Sequence, residues 1–204
     1  TPEFGAIYPT PIIGMVGLVK SLDHVTTMEF KNEGDFILLI GETKEELGAS
    51  EYLDQIHGLV AGDVPELDLE LERKTQNFIL DIIRQGLVES AHDVGDGGLA
   101  VALAESSLKS DLGANVSLDL EMRADALLYG ESQTRFLISS GKEAASRIIE
   151  IAAEQGIEAG NIGSVTGSKR LVINNIDNTL IDISVDDCAN AFDTGFDKMM
   201  KTEA

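Results

Sequence analysis

Tryptophan is absent, histidine occurs three times, and cysteine occurs once, at Cys188. A single thiol excludes an internal disulfide and any zinc site built on cysteines. His24 and His57 have no neighbours at ligand spacing and read as surface residues, while Cys188 reads as a small buried hydrophobe. A reducing cytosol is the simplest compartment for such a chain. Basic residues are scarce as well: 15 Lys and Arg stand against 36 Asp and Glu, a formal charge of -21. That field repels a phosphate backbone, so nucleic acid is not an expected partner. Long apolar runs are also missing. Nothing approaches the roughly 20 residues that a spanning helix needs, and the start TPEFGAIYPTP has neither a basic stretch nor a signal-type apolar core. No membrane association and a cytoplasmic location are therefore expected.

What is present suits a packed core. Hydrophobic residues make up 43% of 204 positions, enough for one generous domain or one domain plus a piece of another. Residues 1–32 read differently from the rest. Tyr8 to Pro11 is stiff and extended, and IIGMVGLV (12–19) alternates small and branched apolar residues, as the last strand of a preceding unit would. After the polar link Lys31 to Asp35, FILLIG (36–41) is a short buried strand that opens a new hydrophobic unit, so a boundary is placed near residue 33.

Within 33–204 the pattern alternates. Glu45 to His57 has helical potential, and Leu67 through Ile83 repeats apolar residues at three and four before Gly86. The acidic run between Asp63 and Glu72 reads as a solvated helix face. A strand over Leu87 to His92 leads into a helix from about Gly97 to Lys109, followed by strands at 114–120 and 135–140. Lys142 to Gln155 predicts a helix closed by Gly156, then come strands at 161–166, 170–174 and 179–184 and a helix at 186–200. Thr166 to Lys169 is a turn of hairpin type, which predicts an antiparallel pair. The expected fold is α+β: a layered α/β/α domain around a mixed, largely antiparallel sheet.

Two constellations carry potential chemistry. AHDVGDGGLAVALAESSL (91–108) packs a histidine, two aspartates and three glycines ahead of an apolar run. On local grounds Asp96 is a good N-cap, worth about 1 kcal/mol, and Gly97 and Gly98 allow a tight turn into a buried helix. The functional reading is an anion site at the helix amino terminus. Asp93 and Asp96 oppose it: a phosphate about 4 Å from a carboxylate is repelled by about 4 kcal/mol at an effective dielectric near 20, more than the ~0.3 to 1 kcal/mol the dipole supplies. Phosphate here calls for a bridging cation such as Mg²⁺, with Asp93 or Asp96 as oxygen ligand. Neither a dinucleotide fingerprint nor a P-loop is present. The second constellation is Tyr129 to Arg135, YGESQTR, where Glu131, Ser132 and Gln133 are able to hydrogen-bond a polar ligand and Arg135 to pair with Glu131 or another acid.

IYPTPIIGMVG (7–17), SAHDVGDGGLAVALAES (90–106) and GESQTRF (130–136), in this order and spacing, resemble the carboxy-terminal part of the phosphoribosylformylglycinamidine synthase family, in the aminoimidazole ribonucleotide synthetase-related superfamily. The resemblance runs from Ala6 to the end of the chain. It implies a C–N ligase of purine biosynthesis, in which ATP activates the amide oxygen of formylglycinamide ribonucleotide and glutamine-derived ammonia displaces the phosphate, with Mg²⁺ holding the nucleotide. It further implies a parent built from two similar halves. This chain would supply the end of the second half, a tail of its nucleotide-binding domain (1–32) and its C-terminal α/β domain (33–204).

The family's general-base histidine and most of its nucleotide and magnesium ligands lie elsewhere in such a parent, so no catalytic residue is assigned here and the fragment alone is expected to be inactive. By analogy with the first half, Asp93 and Asp96 fall at the metal position, and Gly97, Gly98, Glu131, Ser132 and Gln133 at the nucleotide or substrate position. Gly95 stands where the family usually has serine, which removes one hydroxyl. The implied partners are a glutaminase subunit and a small bridging subunit. The alternative reading is an auxiliary nucleotide- and Mg-binding domain, or one that serves assembly.

Overall fold

The computed structural model describes residues 12–202; the stretch from Tyr8 to Pro11 lies outside the described residues. Among the described residues seven strands form one sheet in the order β2-β4-β1-β5-β3-β6-β7. They are β1 (Phe36–Ile40), β2 (Ser90–Asp93), β3 (Gly113–Ser117), β4 (Phe136–Ser140), β5 (Ala159–Thr166), β6 (Arg170–Asn175) and β7 (Asn178–Ser184). β3 and β6 run parallel, and every other neighbouring pair is antiparallel. The mixed, largely antiparallel sheet is thus as expected.

β1 sits between β4 and β5, and its alternating side chains enter two separate cores. Ile37 and Leu39 join the first core, with Phe30, Leu99, Leu103, Leu127, Val116 and Ile173. Leu38 and Ile40 join the second, with Phe78, Ile82, Ile138, Ile148 and Ala152. A strand buried on both faces reads as an unbroken apolar run, which is why FILLI has no polar alternation. Two helix layers follow: α3 (Gly98–Leu108) and α4 (Ala124–Tyr129) cover one face, α2 (Leu69–Arg84) and α5 (Lys142–Glu154) the other. The second face is covered only over β2, β4, β1 and the start of β5; beyond that, Asn115 and Ser117 of β3 stay exposed.

The helices follow their sequence signals closely. α2 buries Thr75, Phe78, Ile79 and Ile82, a stripe at three and four. Asp68 caps it, its Oδ1 accepting from Glu70 N at 2.9 Å and Leu71 N at 3.1 Å. The acidic run before Glu72 is therefore mostly an exposed loop, with its last residues in the helix. Only Glu51–His57 of the predicted Glu45 to His57 segment is helical, as α1, capped by Ser50. Residues 42–49 are instead irregular, with a turn at Gly48 and Ala49, and are fastened to the 130–135 loop as described below. α4 escaped the sequence reading because six residues are too few to show a helical period. α6 (Val185–Thr202) closes the chain beside α3 and β7, and Cys188 on it is half-buried, with burial raising its thiol pKa.

The Thr166 to Lys169 turn does not join neighbouring strands. β3 lies between β5 and β6, antiparallel to the first and parallel to the second. Gly113, where β3 enters this slot, is the reason it fits: a Cβ there would stand 2.2 Å from Arg170 O. The hairpin in this region is β6–β7, whose turn places Ile176 at φ 51°. Asn175 fixes that turn, its Oδ1 accepting from Leu120 N and its Nδ2 donating to Leu120 O, both at 2.9 Å.

The amino-terminal stretch behaves differently. Ile12, Ile13, Met15, Val16 and Leu18 are 82–104% exposed, and residues 12–19 form no strand here. Further on, Thr27 O accepts from Ala91 N at 3.1 Å on the open edge of β2, and Phe30 is buried in the first core. Among the described residues no helix is long and apolar enough to cross a membrane.

Candidate functional site

The two motifs meet at the amino-terminal end of α3. β2 delivers His92 and Asp93 to this end, and Val94 anchors the turn by burying its side chain and donating to Arg135 O at 3.0 Å. His92 lies against Glu105 on α3, Nε2 to Oε2 2.8 Å, with Asp93 Oδ1 3.5 Å from Nδ1. The Asp93 carboxylate is 80% exposed.

Asp96 does not cap the helix. The N-cap is Gly97, in the left-handed region at φ 78°, and it makes no side-chain cap bond. Its N–H is satisfied from 34 residues away, by Glu131 Oε1 at 2.8 Å. The same oxygen accepts from Glu51 N, the first residue of α1, at 2.9 Å. A carboxylate between two helix starts is favoured by both dipoles, so the longer reach of Glu131 displaces the local candidate. Asp96→Ala is accordingly expected to change stability by less than about 0.5 kcal/mol, as at an ordinary surface position. Urea unfolding checks this; a loss of about 1 kcal/mol, the value of a lost cap, would restore Asp96 to that role.

The remaining loop residues divide sharply. Ser132 is 1% exposed, and its Oγ accepts from Lys44 N at 3.2 Å and contacts Lys44 O at 3.4 Å. Gln133 is exposed, with Nε2 3.3 Å from Glu131 O. Arg135 is 2% exposed and, among the described residues, hydrogen-bonds no carboxylate. Its Nε donates to Ser132 O at 3.0 Å, Nη2 to Gly130 O at 2.5 Å and Nη1 to Thr43 Oγ1 at 3.3 Å. Burial lowers its pKa to about 10, against the opposing pull of Glu46 and Glu131.

A third segment, 42–51, completes the site and was missed by sequence reasoning. Glu46 O accepts from Glu131 N at 3.2 Å, and Thr43, Lys44 and Glu51 supply the partners just named. The available signal was GETKEEL, a polar run bounded by Gly41 and Gly48. Above it, Tyr52 of α1 stacks on Tyr129 with ring centroids 4.9 Å apart and planes 2° from parallel. Glu51, Tyr52, Gln55, Ile56, Gly97, Val101 and Tyr129 line a cavity of about 510 Å³ between α1 and α3.

The structure therefore brings Gly97, Gly98 and Glu131 together, buries Ser132, and leaves Asp93, Asp96 and Gln133 facing solvent. Among the described residues no group of three or more His, Cys, Asp or Glu is placed to hold a metal ion.

Residues 32–174 match the family AIR synthase related protein, C-terminal domain. The chain belongs to this family. Among individual AIR synthase related proteins, the phosphoribosylformylglycinamidine synthase subunit PurL of Moorella thermoacetica is 46% identical over 185 residues, 91% of this chain and 25% of that protein. The structure of Thermotoga maritima PurL complexed with FGAR superposes with a TM-score of 0.72 at 26% identity, covering 82% of this chain and 30% of that one. The structure of PurLQS from the same organism superposes at 0.67 with 23% identity, over 82% and 28%, a likeness of fold. The chain spans about a quarter of the length of the curated relatives it matches.

Proposed function

We propose that the chain is the C-terminal part of a phosphoribosylformylglycinamidine synthase, the ligase that converts formylglycinamide ribonucleotide, ATP and glutamine-derived ammonia to the amidine, ADP and phosphate. The observation that carries this is the 46% identity to a PurL subunit across nearly the whole chain. In this reading residues 1–32 are the tail of an adjoining nucleotide-binding domain. The 82–104% exposure of Ile12, Ile13, Met15, Val16 and Leu18 supports it, because a run of bare apolar side chains calls for a neighbouring unit to cover it.

ATP and Mg²⁺ belong to the parent in this proposal, as do a glutaminase subunit and a small bridging subunit. Asp93, Asp96, Gly97, Gly98 and Gln133 are the residues on this domain that line the motif end and remain at its surface or turn. Glu131 and Ser132 already make internal hydrogen bonds, which favours an auxiliary and assembling role for this domain over a catalytic one. The parent is proposed to work in the cytoplasm.

Ammonia-supplied amidine formation is expected from a PurL-type chain that includes this domain, and not from residues 1–204 alone. Release of ADP and amidine from formylglycinamide ribonucleotide and ATP measures both. Turnover by residues 1–204 alone would overturn the fragment reading, and no turnover by the intact chain would overturn the assignment.

A further inference from the structure

We propose that Glu131 is the latch of a strap, residues 41–68, which closes α1 over the amino-terminal end of α3 and the Tyr129 ring. The strap leaves β1 at Gly41 and returns to the sheet's helix layer only at α2, and between them its one helix is the seven-residue α1. It folds back on itself, Ala49 N donating to Ala61 O at 2.9 Å and Glu66 N to Glu46 Oε1 at 3.0 Å.

Two kinds of attachment hold it to the domain. At its root, Thr43, Lys44 and Glu46 are fastened to Arg135, Ser132 and Glu131 N, groups that are buried or on the main chain. At its tip, α1 has no fully buried residue, and only Tyr52 and Leu53 are half-buried. The tip is held by one side-chain oxygen, Glu131 Oε1, shared between Glu51 N and Gly97 N, and by the stacking of Tyr52 on Tyr129. A helix with only two half-buried residues draws little from burial, so the ionic bridge between the two helix starts decides whether it stays docked.

Detachment of the tip would widen the cavity between α1 and α3 and bare Gly97 N, Val101 and the outer face of Tyr129. The root would remain, since its bonds do not pass through the Glu131 carboxylate. Glu131 is thus a positioning residue for a conformational device, and this role does not depend on which reaction the parent carries out.

Hydrogen exchange on the whole chain tests it. In Glu131→Ala, amides of residues 51–57 and of Gly97 are expected to exchange at least tenfold faster, with β1 and β4 unchanged. Acetate, which replaces the deleted carboxylate, is expected to restore protection in that variant and leave the wild type unaltered. Glu131→Gln, which keeps an acceptor and loses the charge, is expected to fall between the two. Unchanged exchange at 51–57 in Glu131→Ala, an equal rise across β1 and β4, or no response to acetate would each overturn the latch.

Discussion

Replacing Arg135 by methionine is expected to lower the unfolding free energy by about 3 kcal/mol, because methionine fills the space and supplies none of the donors. Gly130 O and Ser132 O, both in buried residues, lose the guanidinium bonds of 2.5 and 3.0 Å, and Thr43 loses its tie to the loop. A buried acceptor left unmade costs about 1 to 3 kcal/mol. Glu46 adds to the loss: its Oε2 is buried without a hydrogen-bond partner, and the Arg135 charge acts on this carboxylate. Against this stands the desolvation of the guanidinium itself, which brings its pKa down to about 10 and which methionine does not suffer. Two stranded carbonyls and an uncompensated acid outweigh that relief. Of a domain stability of about 5 to 15 kcal/mol, a loss of 3 is a large share. Denaturant unfolding of wild type and variant decides it, and a difference under about 1 kcal/mol would show that desolvation and hydrogen bonding cancel.

Gly98→Ala is expected to be as damaging, for a reason of shape. Gly98 is at φ 69°, and a Cβ there would stand 2.7 Å from Gly130 O, 2.8 Å from Tyr129 C and 2.9 Å from Leu128 O. All three are main-chain atoms and have no rotamer to yield. The left-handed backbone costs a non-glycine residue about 1 to 2 kcal/mol, and forcing α3 away from the end of α4 costs about 1 to 3 kcal/mol more, together about 3 kcal/mol. Gly95→Ala is the control three residues away. Its Cβ would meet only Asp93 Oδ2, at 3.6 Å, so a change of less than about 0.5 kcal/mol is expected. Equal melting temperatures for the two variants would refute the packing argument. The pair also separates two reasons for the glycines of HDVGDGG: Gly98 is required by the approach of another chain segment, whereas Gly95 has room for a side chain.

The close contact explains why the two sequence motifs occur together. GG of the first lets α3 begin against the end of α4, and E of the second, one residue beyond Gly130, then satisfies the Gly97 amide. Physical chemistry alone already weighed against bare phosphate at this turn, because of Asp93 and Asp96. The structure strengthens that case with a third carboxylate, Glu131, bound directly to the donor that an anion would use. The order and spacing of the motifs and the family match over residues 32–174 point to the same superfamily.

Local periodicity by itself determined α2, α5, the core strand FILLI and the alternating, layered plan. In each, the residues that decide the element lie within one or two turns or one strand of each other: Thr75, Phe78, Ile79 and Ile82 in α2, and Ala145, Ile148 and Ala152 in α5. Three outcomes needed the tertiary structure. β3 enters between β5 and β6, so a turn that resembles a hairpin joins strands that do not touch. Glu131 caps α3 in place of Asp96, and the 42–51 segment forms one wall of the site. Each depends on groups between 34 and 92 positions apart, as Gly97 with Glu131 and Thr43 with Arg135. The energy that selects them, hydrogen bonding of a buried guanidinium and of buried main-chain groups, exists only once the sheet has brought those segments together.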